Sequence, residues 1–514
     1  MSFFESLLLL LAVAILLLQV TRRLPIPYPT MLAAAGVVLA LIPGAPQISL
    51  DPETALALFI APALVDAAFD FPAVAARSLW RPLFALAVVA VVLSAAAVAG
   101  AGMALAGLPL YAALALGAIV APPDAAAATA ILSQVSMPGR VVAVLKGESL
   151  LNDASALLLF AGATAFHHQG EAGPAFALRL AFAVPGGVLL GIVLALLFRR
   201  FIVPRVTGTL GGNLLEFVGT FAAWIIAERL ELSAVLCLVA FAMTLARDAG
   251  LTTPARSRIH SFAVWDSAVF LLNVLAFLLM GLQARTILAD MSPGHLRGAA
   301  VFALAVVVIL VVVRMAGTLA YGWVARRIRT PAGAEAPPTR RESILIGWCG
   351  MRGLVTLATA FALPGDFPQR DLIVLTAFAV VLATLVIQGP TVAPLVRLLG
   401  LAGDSGVAAE LGPARADLAS AALESLEGRD GTAADHWRFS FDAVRAAWTP
   451  PGDSAAMREK RAIGLAALRR QRERLEELRT LRSIGAEAFL ILQEELDFQE
   501  VTLSDEDARR IEQS

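Results

Sequence analysis

The chain has 514 residues, of which 58% are hydrophobic and only 16% charged, and its mean hydropathy is +0.77; an ordinary soluble globular protein is excluded. A formal net charge of -1 excludes the basic field that nucleic-acid binding needs. Nearly half of the charged side chains follow Leu401, so the sequence divides into a membrane domain, residues 1–400, and a polar tail, residues 401–514.

Apolar runs long enough to cross roughly 30 Å of hydrocarbon recur through the first domain. They fall near 4–20, 28–43, 52–69, 82–106, 109–132, 142–166, 174–198, 212–229, 231–247, 262–284, 298–325, 342–363 and 371–398, which makes thirteen spans. The first could pass for a secretion signal, but no basic residue precedes it and Arg22 and Arg23 follow it, so it reads as a span. The eighth and ninth are short and split at Glu228, Arg229 and Glu231. Cys237 and Cys349 lie in separate apolar runs and read as small core residues.

Basic residues alternate between the loops. Arg22 and Arg23, Arg77 and Arg81, Arg140 and Lys146, Arg199, Arg200 and Arg205, Arg247, Arg256 and Arg258, and Arg326 to Arg341 all follow odd-numbered spans. The positive-inside rule then puts the N-terminus outside and the tail in the cytoplasm of a cell inner membrane or plasma membrane. The fifth span is interrupted by Ala121, Pro122, Pro123 and Asp124, and the twelfth by Gly347, Gly350 and Gly353 around Arg352. The two run in opposite directions. Two inverted six-helix repeats around a linking span, each with a broken helix, point to a midplane site of a secondary transporter.

A charged residue at a helix centre costs about 2.5–3.5 kcal/mol on insertion scales, so Asp66, Asp124, Glu148, Asp153, Arg314 and Arg352 each need a partner or a wet cavity. In GESLLNDASALLLF, residues 147–160, helical spacing sets Ser149 one turn from Asp153 and Glu148 one turn from Asn152. The strip offers hydroxyl and carboxylate oxygens suited to a hard alkali cation. The prolines before Asp124 free carbonyls that the membrane tolerates only where they line a cavity or meet a partner. Asp124 either caps the half-helix that follows or touches the ion. Asp66, near the cytoplasmic end of the third span, is either an interfacial carboxylate or a ligand. Arg352 needs a carboxylate, for which Glu148 is the expected partner, leaving Asp153 free to titrate; Arg314 has no evident partner. His167 and His168 read as a solvated external loop.

The stretches LPIPYP (24–29), GAIVAPPDAAAATAIL (117–132), GESLLNDASALLLF (147–160), FLLNVLAFLLMGLQ (270–283) and GWCGMRGLVTLATAFALP (347–364) occur in this order. Together they resemble the motifs of the first cation:proton antiporter family, the NhaP and NHE type sodium/proton exchangers, over roughly residues 1–400. The resemblance implies an all-α homodimer of thirteen-helix protomers, each with a dimerisation domain and a six-helix core that moves against it. It implies Asp153 as the essential ion- and proton-binding carboxylate, with Ser149 and Asp124 assisting at the Na+ ion, Asn152 beside it, and Glu148 paired with Arg352. Two positions depart from the family pattern. Pro123-Asp124-Ala125 stands where many members have Thr-Asp-Pro, and Asp66 stands where a glutamate is frequent.

One carboxylate exposed alternately to each side holds a proton or a cation but not both, and an empty buried charge is too costly to move. With asparagine at position 152, one positive charge moves each way. The expected activity is therefore electroneutral exchange of Na+, or Li+, for H+, without cofactor and without enzymatic chemistry. The rivals are a K+/H+ exchanger and, from another class, an intramembrane aspartyl protease using Asp124 and Asp153, although Asn152 stands where that motif wants glycine. In the tail, residues 403–416 show little periodicity. TPPGD (449–453) marks a break, and Leu468, Leu475 and Leu478 among charges predict one or two amphipathic helices, regulatory or simply solvated.

Overall fold

In the computed structural model the described residues are 3–21, 28–40, 42, 52–71, 73–124, 137–169, 174–206, 209–252, 254–282, 293–328, 336–401, 406–448, 454–481 and 483–504. They form helices α1 (Phe3–Thr21), α2 (Tyr28–Ala40), α3 (Pro52–Phe69), α4 (Trp80–Ala106), α5 (Leu110–Val120), α6 (Gly139–Gln169), α7 (Pro174–Leu197), α8 (Leu210–Arg229), α9 (Ala234–Thr252), α10 (Ala255–Leu282), α11 (Pro293–Arg327), α12 (Arg340–Trp348), α13 (Leu354–Phe361) and α14 (Arg370–Leu398). Six described helical stretches are long and apolar enough to cross a bilayer: Trp80–Ala106, Gly139–His167, Ala181–Val206, Ser257–Leu279, Leu296–Arg327 and Arg370–Leu398. Shorter apolar helices accompany them at Tyr28–Ala40, Ala57–Phe69, Leu110–Val120 and Ala234–Arg247. The protein is all-helical in its described residues and passes the membrane several times.

The chain separates into two compact units, 1–404 and 405–513. Within the first, helices pack in two groups. In one, α5 lies against α4 and α6, and α11 against α4, α12 and α14. In the other, α2 lies along α10, α7 along α9, and α3 against α8, α9 and α10. The groups meet where α13 packs on α3 and α14 on α2. With lipid as apolar as leucine, such contacts depend on close approach. Gly36 and Gly281 face each other across the α2–α10 crossing, and a Cβ at Gly36 would lie 2.8 Å from the Gly281 Cα. At the eighth-to-ninth span boundary, α8 ends at Arg229 and Glu231 takes a positive φ of 55°.

Both interruptions expected from the sequence are breaks in helical backbone. Helix α5 stops at Val120 and residues 121–124 leave the helix; the remainder of that run, 125–136, lies outside the described residues. Backbone 349–353 is likewise non-helical between α12 and α13. The start of α12 is fixed by a capping box: Thr339 Oγ1 accepts from Glu342 N at 3.2 Å, and Thr339 N donates to Glu342 at 2.7 Å.

The second unit holds α15 (Gly406–Glu424), α16 (Thr432–Trp448), α17 (Ser454–Thr480) and α18 (Ala486–Leu503). It departs from the sequence reading at its start, where residues expected to be irregular are helical from Gly406; alanine is the strongest helix former and carries the segment through Pro413. TPPGD (449–453) lies outside the described residues. Helices α17 and α18 pack together, joined by Arg472, which bonds Asp497 at 2.6 Å and also Glu500, and Leu468 and Leu475 of α17 are buried.

Replacing Gly281 by valine should force α2 and α10 apart at a cost of about 1–3 kcal/mol. The melting temperature of the purified protein is the readout, and an unchanged value would show that the glycine contact is not needed.

Candidate functional site

Asn152, on the buried strip of α6, meets the break after α5: its Nδ2 donates to the Pro123 carbonyl at 2.8 Å. That carbonyl is one of those freed by the interruption, and a helix cannot end in hydrocarbon without satisfying its last acceptors. The Asn152 Oδ1 and the Asp153 Oδ1 are both buried and have no hydrogen-bond partner among the described residues. Ser149, one turn before Asp153, is buried as well.

The second break crosses the first. The Asp124 amide donates to the Met351 carbonyl at 2.7 Å, and an Asp124 carboxylate oxygen accepts from Leu354 N at 2.9 Å. Asp124 thus caps α13, whose unpaired amides carry the positive end of a helix dipole. The expected target, the half-helix following Asp124, lies outside the described residues; the cap goes to a helix 230 positions away. Gly353 makes room for it, because a Cβ there would overlap the Asp124 carboxyl group. In return the Arg352 guanidinium turns to the end of α5. Its Nε donates to the Val120 carbonyl at 3.1 Å and Nη2 to Ala121 at 3.4 Å, while Nη1 bonds the Gly350 carbonyl. Arg352 N donates to Thr384 Oγ1 of α14 at 3.1 Å.

The expected Glu148–Arg352 pair is therefore replaced by another. Glu148, 1% exposed, is held by Arg314 of α11, 4% exposed, through two parallel bonds of 2.6 and 2.9 Å. Arg314 also donates to the Ile346 carbonyl at 3.3 Å. The fork of a guanidinium matches both carboxylate oxygens at once. The physical reason for the exchange of partners lies in the backbone. Arg352 sits on an unwound segment beside carbonyls that need donors, whereas Arg314 comes from a regular helix and passes over Gly350, whose missing side chain leaves space for the Arg314 stem. Arg314 was marked by its place in an apolar run, but nothing in the spacing could choose between two arginines.

Asp66 is half-buried on α3, and its charged neighbours are Asp70, Asp266 and Lys146. The structure brings Asp124, Ser149, Asn152 and Asp153 to one crossing. Two residues missed in the sequence lie on α13, the helix that Asp124 caps: Thr356 and Thr359, buried with hydroxyls that have no partner among the described residues. His167 also differs from expectation. It belongs to the end of α6, with its ring 5.2 Å from Tyr111 and 4.9 Å from Phe367 and its Nε2 4.0 Å from Asp366.

A double-mutant cycle in the purified protein should give Glu148 and Arg314 a coupling of several kcal/mol, since removing one partner of a buried pair costs about 3–5 kcal/mol. The same cycle on Glu148 and Arg352 should give much less. Equal couplings would restore the pairing expected from the sequence.

The family model described as "Sodium/hydrogen exchanger, transmembrane" matches residues 8–398. An uncharacterized Na(+)/H(+) exchanger of Mycobacterium tuberculosis is 31% identical, over 93% of this chain and 92% of its own length. A Bacillus pumilus protein named as a sodium, potassium, lithium and rubidium/H(+) antiporter is 29% identical, over 93% of this chain and 74% of its own. Among solved structures, the sodium proton antiporter MjNhaP1 of Methanocaldococcus jannaschii at pH 8 shares the fold with a TM-score of 0.57 at 17% identity, covering 78% of this chain and 100% of that one. On the extent of the family match, and on the Mycobacterium relative aligned along nearly all of both chains, this chain belongs to the sodium/hydrogen exchanger family.

Proposed function

We propose that the protein is a cation/proton antiporter that exchanges Na+, or Li+, for H+ at Asp153, one ion for one proton, by alternating access. One observation carries this reading: Asp153 is a buried carboxylate with an oxygen that no described residue satisfies, while the nearby arginines are engaged elsewhere. Arg314 is committed to Glu148, and Arg352 to the carbonyls at the end of α5. A bare buried carboxylate is costly, so Asp153 is stable when it holds a proton or a cation. Each occupant excludes the other. Ser149 and Asp124 complete the oxygen set around the ion, and Asn152 holds the Pro123 carbonyl in place.

The architecture that serves this exchange is thirteen spans in two inverted repeats, with the N-terminus outside, the tail in the cytoplasm, and two copies forming a homodimer. The packing of the described helices into two groups that meet along α3 and α13 supports a core moving against a scaffold. Asp66, on the scaffold helix α3, would contact the ion from that side. The tail would act as a regulatory domain. A second reading, K+/H+ exchange, is favoured by the name of the Bacillus pumilus relative, which includes potassium.

Proteoliposomes with an imposed pH gradient, followed by a dye, test the proposal. Sodium or lithium should collapse the gradient, and Asp153→Asn should abolish the response. Collapse with potassium alone would transfer the assignment to the rival ion. Because protons and cations compete, lowering the pH should raise the apparent KM for the cation and leave the maximal rate little changed. A rate that accelerates when a membrane potential is imposed would overturn the one-for-one stoichiometry.

A further inference from the structure

A helical threonine ordinarily returns its hydroxyl proton to a carbonyl three or four residues back. Thr164, Thr220, Thr244, Thr376 and Thr391 do so here. Thr356 and Thr359 do not. Their side chains are 1% and 3% exposed, and neither hydroxyl has a hydrogen-bond partner among the described residues. Leaving a buried hydroxyl unbonded is costly, so such a group marks a place that water or a ligand satisfies.

The two threonines are three residues apart and share one face of the eight-residue helix α13. That helix begins at the Asp124 carboxylate, which caps Leu354 N, and Asn152 is bonded to the residue before Asp124. The unpartnered oxygens of Asn152, Asp153, Thr356 and Thr359 are therefore carried by two helices, α6 and α13, that are each bonded to the break at Pro123 and Asp124. Apart from the Asp153 carboxylate they are neutral amide and hydroxyl oxygens. Oxygen-only surroundings of low charge suit a hard monovalent cation passing through better than one held fast. Helix α13 also packs on α3, of the other helix group, so the threonines stand on the helix that forms the boundary between the groups.

We infer that Thr356 and Thr359 line the path by which the transported cation reaches Asp153, their hydroxyls standing in for water of its hydration shell. This rests on the exchanger reading above and assigns to α13 a part in setting cation affinity.

The test uses the full chain in proteoliposomes, with Thr356→Val and Thr359→Val, which keep the shape and remove the hydroxyl, beside Thr356→Ser and Thr359→Ser, which keep the hydroxyl. The valine variants should raise the apparent KM for the cation about five- to tenfold, with the maximal rate within about twofold and the serine variants near wild type. An unchanged KM in the double valine variant, or serine variants as impaired as valine, would overturn the inference and leave a packing role. A second measurement does not depend on transport. Thr359→Cys is made in a Cys237→Ala, Cys349→Ala background, since the two native cysteines are the only others in the chain. The purified protein is then treated with a small methanethiosulfonate. Labelling that alkali cations slow supports the path even if wild-type exchange fails and the exchanger reading falls with it; no labelling, or labelling indifferent to cations, overturns the path.

Discussion

Helix ends inside a membrane leave amides and carbonyls that neither water nor lipid can satisfy, and each unsatisfied group costs several kcal/mol in hydrocarbon. The molecule meets this at the crossing of its two interrupted segments. Carbonyls at the end of α5 receive the Arg352 guanidinium from the other segment, and the first amide of α13 receives the Asp124 carboxylate. Negative helix end meets cation, and positive helix end meets anion. Each break supplies the side chain that completes the other. Pro122 and Pro123 ensure that α5 does not continue, and Gly353 removes the one Cβ that would keep Asp124 out.

This reciprocal arrangement fixes what the surrounding charges are free to do. Arg352 gives its side-chain hydrogen bonds to backbone carbonyls and makes none to a carboxylate of α6 among the described residues. Glu148 therefore takes Arg314, in a bidentate geometry that satisfies both of its oxygens. A pair of this kind is weak evidence for stability, because desolvating both ions offsets most of their attraction. What it does in the structure is satisfy both oxygens of a fully buried carboxylate. Arg314 holds Glu148 and the first amide of α13 holds Asp124, and among the described residues Asp153 keeps a buried oxygen without a hydrogen-bond partner.

The location of the crossing matters as much as its chemistry. Helix α13 starts there and packs on α3, so the broken segment of one helix group abuts the other group. A change in how the two groups fit would change the surroundings of α13, including its buried threonine hydroxyls, without requiring the crossing to come apart. The crossing and the boundary between the helix groups are thus adjacent in the structure.

Hydropathy and the cost of burying charge made the membrane character, the helical class, both helix breaks and the strip from Glu148 to Asp153 readable from the sequence alone, because each follows from local composition and the period of a helix. The family was readable as well, since ordered motifs need no coordinates. Partner choice was not. Arg314 and Arg352 are equally basic and equally buried in a one-dimensional reading, and only the path of the unwound backbone at 349–353 decides that one serves a carboxylate and the other serves carbonyls. The same holds for Asp124, which caps a helix 230 residues distant, and for Thr356 and Thr359, whose hydroxyls look ordinary until the structure shows them buried without an acceptor among the described residues. The sequence determined which groups must find partners in a medium without water; the tertiary structure decided the pairing, because only the packed chain sets which donors and acceptors come within bonding distance.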